Sequence, residues 1–145
     1  MTATAEPRRL IADSSAWIEM LREHESPADL ALASALADPT VEVIVPEPVQ
    51  AEVLVGARTV SDFQALRRLF ATLPTVLIHP RTDFDLAVDL YRLCRSSGRT
   101  VRSLHDCLVV AMAQRVDVPL LHHDRDLVTL VDIAGVAAAP GSLGA

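Results

Sequence analysis

Asp13, Glu52, Asp106 and Asp124 each stand where an apolar stretch runs out or a helical pattern begins. Their settings are LIADSSAWI, VQAEVLVGA, SLHDCLVVAMAQ and VPLLHHDRDL. Carboxylates are costly to bury unless paired, hydrogen-bonded or bound to a cation, and the chain holds no lysine to neutralise them. Together the four point to one shared cation site and to metal-dependent chemistry on a phosphate. Their hard oxygen ligands select Mg2+ or Mn2+. Ions held this way activate water and stabilise charge on the attacked phosphate and the leaving oxygen. Unit charges ~4 Å apart repel by roughly 4 kcal/mol at an effective dielectric of about 20. Without its cation such a site is strained and is a place for a retained proton.

Each acid also has a purely structural reading. Asp13 is an N-cap for a helix from Ser14 onward. Ser15 is a second cap or a hydroxyl that orients a metal-bound water. Glu52 sits among Val49, Val53, Leu54 and Val55, where a solvated face would show more polar neighbours. Ser103-x-x-Asp106 resembles a capping box, although Glu or Gln is usual at its last position. Asp124 suits a polar turn, and Asp126 is a weaker fifth ligand. His105, His122 and His123 adjoin the acids but lack the paired spacing of a zinc site. Either of the last two is a turn residue or a contact to substrate phosphate.

The elements that must position these residues can be read from caps and periodicity. Strands are expected at residues 9–12, 42–45, 75–78, 118–121 and 136–139. Helices are expected at about 14–21, 27–37 and 46–56, then from a Ser61-Asp62 cap with Leu66, Leu69 and Phe70 on one face. A long helix at about 83–97 carries Leu86, Leu90 and Leu93 and stops at Gly98. Ser103 caps a helix to about Arg115 that is apolar all round from Cys107 to Ala113, the mark of a buried central helix. A short helix follows at about 128–133. Alternating strands and helices predict an α/β fold, a mostly parallel sheet with helices on both faces. Sites in such sheets form beyond the carboxyl ends of the strands.

The 145 residues read as one domain, 1–145, with no repeat or linker. No apolar run is long enough to span a membrane and no signal-peptide pattern opens the chain, so a cytoplasmic protein is expected. Cys94 and Cys107 are expected as reduced core thiols. A net charge of −6 argues against a DNA-coating role. All thirteen basic residues are Arg, which removes P-loop and Schiff-base lysine chemistry and suits bidentate phosphate contacts. Arg92, Arg95, Arg99 and Arg102 form either a solvated face or a phosphate rail leading to Asp106. Aromatic residues make up 3% of the chain, so RNA recognition by extended base stacking is not expected.

At these residues the chain resembles the PIN-domain ribonucleases, most closely the VapC-like toxins of type II VapBC toxin–antitoxin pairs. Asp13-Ser14-Ser15 with Ala16-Trp17-Ile18 matches that family's opening motif, and Glu52 with Gly56 its second acid. Asp106 before Val110-Ala111-Met112-Ala113 matches the third. His122-His123-Asp124-Arg125-Asp126-Leu127 matches the last, with His122 in place of the usual hydroxyl residue and Leu127 in place of Phe. The resemblance implies a three-layer α/β/α PIN-like fold and an Mg2+- or Mn2+-dependent endoribonuclease that cleaves RNA (tRNA or rRNA), inhibiting translation and growth. It further implies a homodimer and a VapB-like antitoxin whose tail covers the groove. A haloacid-dehalogenase-like phosphatase would need an acid where Ser15 stands. The remaining alternative is a catalytically inactive PIN-like module that only grips RNA or protein.

Overall fold

The computed structural model describes residues 5–145. Strand β1 (Arg8–Ala12) leads into helix α1 (Ser14–Leu21), and Ser26 caps α2 (Pro27–Ala37) by accepting the Asp29 N–H. The β-branched strand β2 (Val41–Pro46) passes at its proline into α3 (Glu47–Val55), followed by α4 (Val60–Ala71). Then come β3 (Thr75–Val76), α5 (Thr82–Ser96), α6 (Leu104–Val116), β4 (Leu120–Leu121) and α7 (Arg125–Ala134).

The strands form one parallel sheet in the order β3-β2-β1-β4. Every strand therefore ends at the same edge. Helices cover the sheet in two packed groups, α1 to α4 and α5 to α7, giving the three-layer α/β/α architecture. Helix α6 is buried without a break from Cys107 to Ala113, as its all-apolar circumference requires. The core is one contiguous cluster in which Trp17 meets the Phe70 ring edge-on at 5.1 Å. Among the described residues no helix is long and apolar enough to cross a membrane, and both cysteines are free and buried.

The strands are shorter than expected, for local reasons. Residues 75–78 form a strand only at Thr75–Val76, because β2 turns into α3 at Pro46 and leaves Leu77 and Ile78 without a partner. Side chains take their backbone groups instead: Glu47 Oε1 accepts the Ile78 N–H (2.7 Å) and Arg115 donates to the Leu77 carbonyl (2.9 Å). Residues 118–121 narrow to Leu120–Leu121, since Val118 donates to the Ala113 carbonyl to close α6 and Pro119 has no N–H to give. Residues 136–139 make only an isolated bridge between Ala138 and Leu120. Helix α4 is capped by Thr59, whose Oγ1 accepts the Asp62 N–H (3.0 Å), rather than by Ser61. In α5 the buried face is Asp83, Ala87, Leu90 and Cys94, while Leu93 is exposed. Helix α7 begins at Arg125, not near 128.

Asp83 explains the turn of that face. It is fully buried and paired with Arg115 through two contacts, Nε–Oδ1 at 2.7 Å and Nη2–Oδ2 at 3.0 Å, and it accepts the His79 N–H (2.7 Å). Burial pushes its pKa up, but the Arg115 guanidinium and the hydrogen bonds outweigh this and hold the carboxyl below its ordinary value. Removing one partner of such a pair leaves a buried charge alone. Arg115→Met is expected to cost about 3–5 kcal/mol at pH 7 in denaturant titrations. Because the folded pKa of Asp83 is depressed, the pair stabilises above the unfolded carboxylate value of roughly 4 and fades as pH falls through the folded value. The gap between parent and variant is therefore expected to shrink on acidification.

Candidate active site

The parallel pairing sets the ends of β1 and β4 side by side. Ala12 lies opposite Leu121, and the next residue, Asp13, donates its N–H to the Leu121 carbonyl (2.8 Å). Asp13 is thereby fixed at the carboxyl edge, beside the turn that carries Asp124. It is almost fully buried. Its Oδ2 caps α1, accepting from Ser15 N (2.9 Å) and Ser15 Oγ (2.6 Å). Its Oδ1 is buried and has no partner among the described residues. The other two buried aspartates are spoken for: Asp29 accepts the Glu25 N–H (2.9 Å) and Asp83 holds Arg115. Among the described residues, Asp13 is the acid with a spare buried oxygen.

Asp106 opens α6. The capping box is half formed: its N–H donates to Ser103 Oγ (3.2 Å), but its carboxylate receives no hydrogen bond from a described residue. Burial, then the charges of Asp13 and Asp124 and, more weakly, Glu52, push its pKa up to about 7, against the pull of His105. Asp13 is raised too, by burial first, then by Glu52 and Asp124, with the Ser15 hydrogen bonds opposing. The four acids thus share one electrostatic space. Among the described residues no three His, Cys, Asp or Glu side chains form a ready ion-binding group. Charge couples these acids without three of them closing on one point.

Glu52 differs from expectation. Its side chain is 47% exposed, at the mouth rather than among the valines. Ser14 Oγ donates to its Oε2 (2.7 Å), and His105 Nδ1 stands 3.2 Å from the same oxygen while His105 Nε2 meets the Pro48 carbonyl at 3.2 Å. Asp124 is the N-cap of α7, its Oδ1 accepting the Asp126 N–H (2.8 Å). Asp126 lies part-buried in the first turn of α7, and its charge is felt at Cys107.

Ser15 gives its single proton to Asp13 and accepts the His123 N–H (2.9 Å). It therefore clips the β4 turn to Asp13 instead of orienting a water. His122 is fully buried. Its Nδ1 receives a long contact from the Asp124 N–H (3.4 Å), its Nε2 has no partner among the described residues, and burial lowers its pKa against the attraction of Asp124. His123 Nε2 meets Glu19 Oε1 (3.1 Å) and its Nδ1 is buried without a partner among the described residues. Neither ring offers a free, solvent-facing nitrogen to a phosphate. Of the arginines, Arg99 is tied to Asp132 (2.9 Å), whereas Arg92 and Arg102 are exposed without an ion pair to a described residue.

Several supporting residues were not read from the sequence. The paired hydroxyls of Ser14-Ser15 beside an acid were a usable signal for Ser14, as was the four-residue spacing from Ser15 to Glu19. Ser142 carried none. It is buried, accepts the His122 N–H (3.2 Å) and donates to the Leu120 carbonyl (3.2 Å).

A three-layer α/β domain with acids gathered at the carboxyl edge of its sheet is the class these features define. The PIN domain family matches residues 10–133. Ribonuclease VapC11 of Mycobacterium tuberculosis and VapC ribonuclease Mb1587 of Mycobacterium bovis are each 33% identical over 130 residues, covering 90% of this chain and 97% of theirs. A chain of VapBC2 from Rickettsia felis, solved bound to a DNA fragment from their promoter, superimposes with a TM-score of 0.69 at 12% identity, over 90% of this chain and 97% of that one. The chain belongs to the PIN-domain family, among its VapC-like members.

The raised pKa of Asp106 makes a signed prediction. A carboxyl whose folded pKa lies above its unfolded value of roughly 4 lowers stability progressively as pH rises through the folded value, here about 7. Asp106→Asn removes this charge and leaves the Ser103 cap in place. In chelator the variant is expected to be more stable than the parent by about 1 kcal/mol or more at pH 8, and by less at pH 5, in thermal melts.

Proposed function

We propose that this chain is an Mg2+- or Mn2+-dependent endoribonuclease acting as the toxin of a toxin–antitoxin pair. The observation that carries the reading is the spare, buried Oδ1 of Asp13 at the centre of mutually repelling acids. A buried carboxylate oxygen without a partner is costly, and a hard cation relieves both costs at once. The donor set fits, being carboxylate oxygen from Asp13, Asp106, Asp124 and, at the mouth, Glu52, with Asp126 a weaker fifth. When bound, the cation supplies Lewis-acid activation of water and neutralises charge growing on the attacked phosphate.

The chain's own residues supply the rest. Ser15 and the Leu121 carbonyl hold Asp13 in one orientation. Asp106 keeps a proton near neutral pH while the cluster is uncompensated and releases it when positive charge arrives. Ser14 and His105 aim Glu52 at the solvent side, where substrate enters. Arg92 and Arg102 are available for RNA phosphates. The relatives named as ribonucleases support RNA as substrate, with tRNA or rRNA the expected class, and cleavage there would inhibit translation and growth.

The same reading gives the chain a homodimeric state, a cytoplasmic setting and a VapB-like antitoxin. A cleft of about 430 Å³ between α1, α3 and α4, lined by Ile18, Leu21, Leu66 and Leu69, runs to Glu52. It suits an amphipathic antitoxin segment with a basic side chain placed among the acids.

The test is cleavage of structured RNA by purified protein. Activity is expected with Mg2+ or Mn2+, none in excess chelator, and a loss of at least 100-fold in Asp13→Asn and Asp124→Asn, since positioned charge of this kind contributes ~10²–10³ to rate. Expressed alone, the parent is expected to arrest growth and Glu52→Gln to relieve it at equal level. Undiminished cleavage in chelator, or amide variants as active as the parent, would overturn the metal-site reading, and binding of RNA with no cleavage under any metal condition would leave the RNA-gripping alternative.

A further inference from the structure

Glu19 is the acid that the proposed chemistry leaves unused. It lies four residues after Ser15, on the same face of α1. Only 12% of its side chain is exposed, so its carboxylate is held largely away from water. Its two oxygens face two imidazoles: Oε1 meets His123 Nε2 at 3.1 Å, and Oε2 meets His24 Nδ1. Burial pushes its pKa up, but hydrogen bonds from His24 and Ser26 and the nearby imidazoles outweigh this, and the net shift is downward. Glu19 is therefore an ionised, oriented acceptor.

What it holds is the turn between β4 and Asp124. The His123 ring is fixed by Glu19, and the His123 N–H is given to Ser15 Oγ (2.9 Å), whose proton goes to Asp13 Oδ2 (2.6 Å). One residue on, Asp124 caps α7. The buried, unpartnered Nδ1 of His123 gives that ring no second anchor among the described residues. We propose that Glu19 is a positioning residue, which through the His123 ring locks the β4 turn against Ser15 and so sets the relative placement of Asp13 and Asp124. The proposal rests on the metal-site reading for its functional consequence, and on contacts alone for the coupling itself.

Amide hydrogen exchange and Mn2+ affinity, the latter from paramagnetic broadening, test it separately. In Glu19→Leu the His123 amide is expected to exchange at least tenfold faster. Mn2+ is expected to bind about 10-fold or more weakly, the usual loss when a residue orienting a metal ligand is removed. Glu19→Gln, which keeps an acceptor for His123, is expected to recover most of both. His123→Leu is expected to match Glu19→Leu, and the double variant to be no worse than either, because the two act in series.

Parent-like exchange and affinity in a folded Glu19→Leu, or additive losses in the double variant, overturn the proposal. In the unsubstituted chain, nitrogen-15 correlation is expected to find a proton on His123 Nε2; a bare Nε2 overturns it with no variant at all. If the parent itself binds no Mn2+, the metal reading fails, while exchange at the His123 amide still decides the coupling.

Discussion

The hydrogen bond from Asp13 N–H to the Leu121 carbonyl extends the parallel pairing of β1 and β4 by one residue past the last strand position. The placement of the acids follows from it. A parallel sheet sends all strand ends to one edge, and this bond makes the ends of the central strand and its neighbour coincide. Asp13 and the His122–Asp124 turn then cannot separate. Ser15 adds a second tie across the same gap, and Ser142 a third from the far side of β4. The C-terminal segment reaches that position through Gly141, whose φ of +98° and closeness to Ala31 and the Pro27 carbonyl leave no room for a side chain.

The site works against the fold that builds it. Asp13 and Asp106 are both raised by burial and by the other acids. Local hydrogen bonds offset only part of this: Ser15 serves one oxygen of Asp13, Ser14 serves Glu52, and the Asp106 carboxylate receives none from a described residue. Elsewhere the same fold buries Asp83 with both carboxylate oxygens partnered, by giving it Arg115 and a backbone N–H. The contrast separates an acid used as a structural tie from acids left short of partners. Strain kept in one place and absent from a comparable one is the pattern expected where stability is traded for function.

Much of this was legible in the sequence wherever the signal is local. The bounds of α1 and α2 follow from Asp13 and from Ser26-Pro27, because a cap and its helix lie within a few residues. The buried circumference of α6 follows from its composition. The gathering of the four acids followed from their positions at element ends, given a parallel sheet. Strand lengths were not legible, since they depend on the partner: β3 stops because β2 does. Nor was the exposure of Glu52, because Val49 and Val53 face inward while the helix turns Glu52, like Val55, outward. Nothing local singles out Asp83, because the partner that accounts for its burial, Arg115, lies 32 residues away. Ser142 acts through a contact about twenty residues distant that no local pattern encodes, and Glu19, although its spacing from Ser15 was a local signal, acts on His123 more than a hundred residues away.

The central claim is that four carboxylates, held at one sheet edge, share a single electrostatic site. Carbon-13 NMR titration of the aspartate carboxyls in metal-free protein tests it most directly. The account predicts that Asp106 titrates at about 7, and that Asp13→Asn moves this midpoint down toward the ordinary carboxylate range. An Asp106 midpoint near 4 that is indifferent to Asp13→Asn would contradict it.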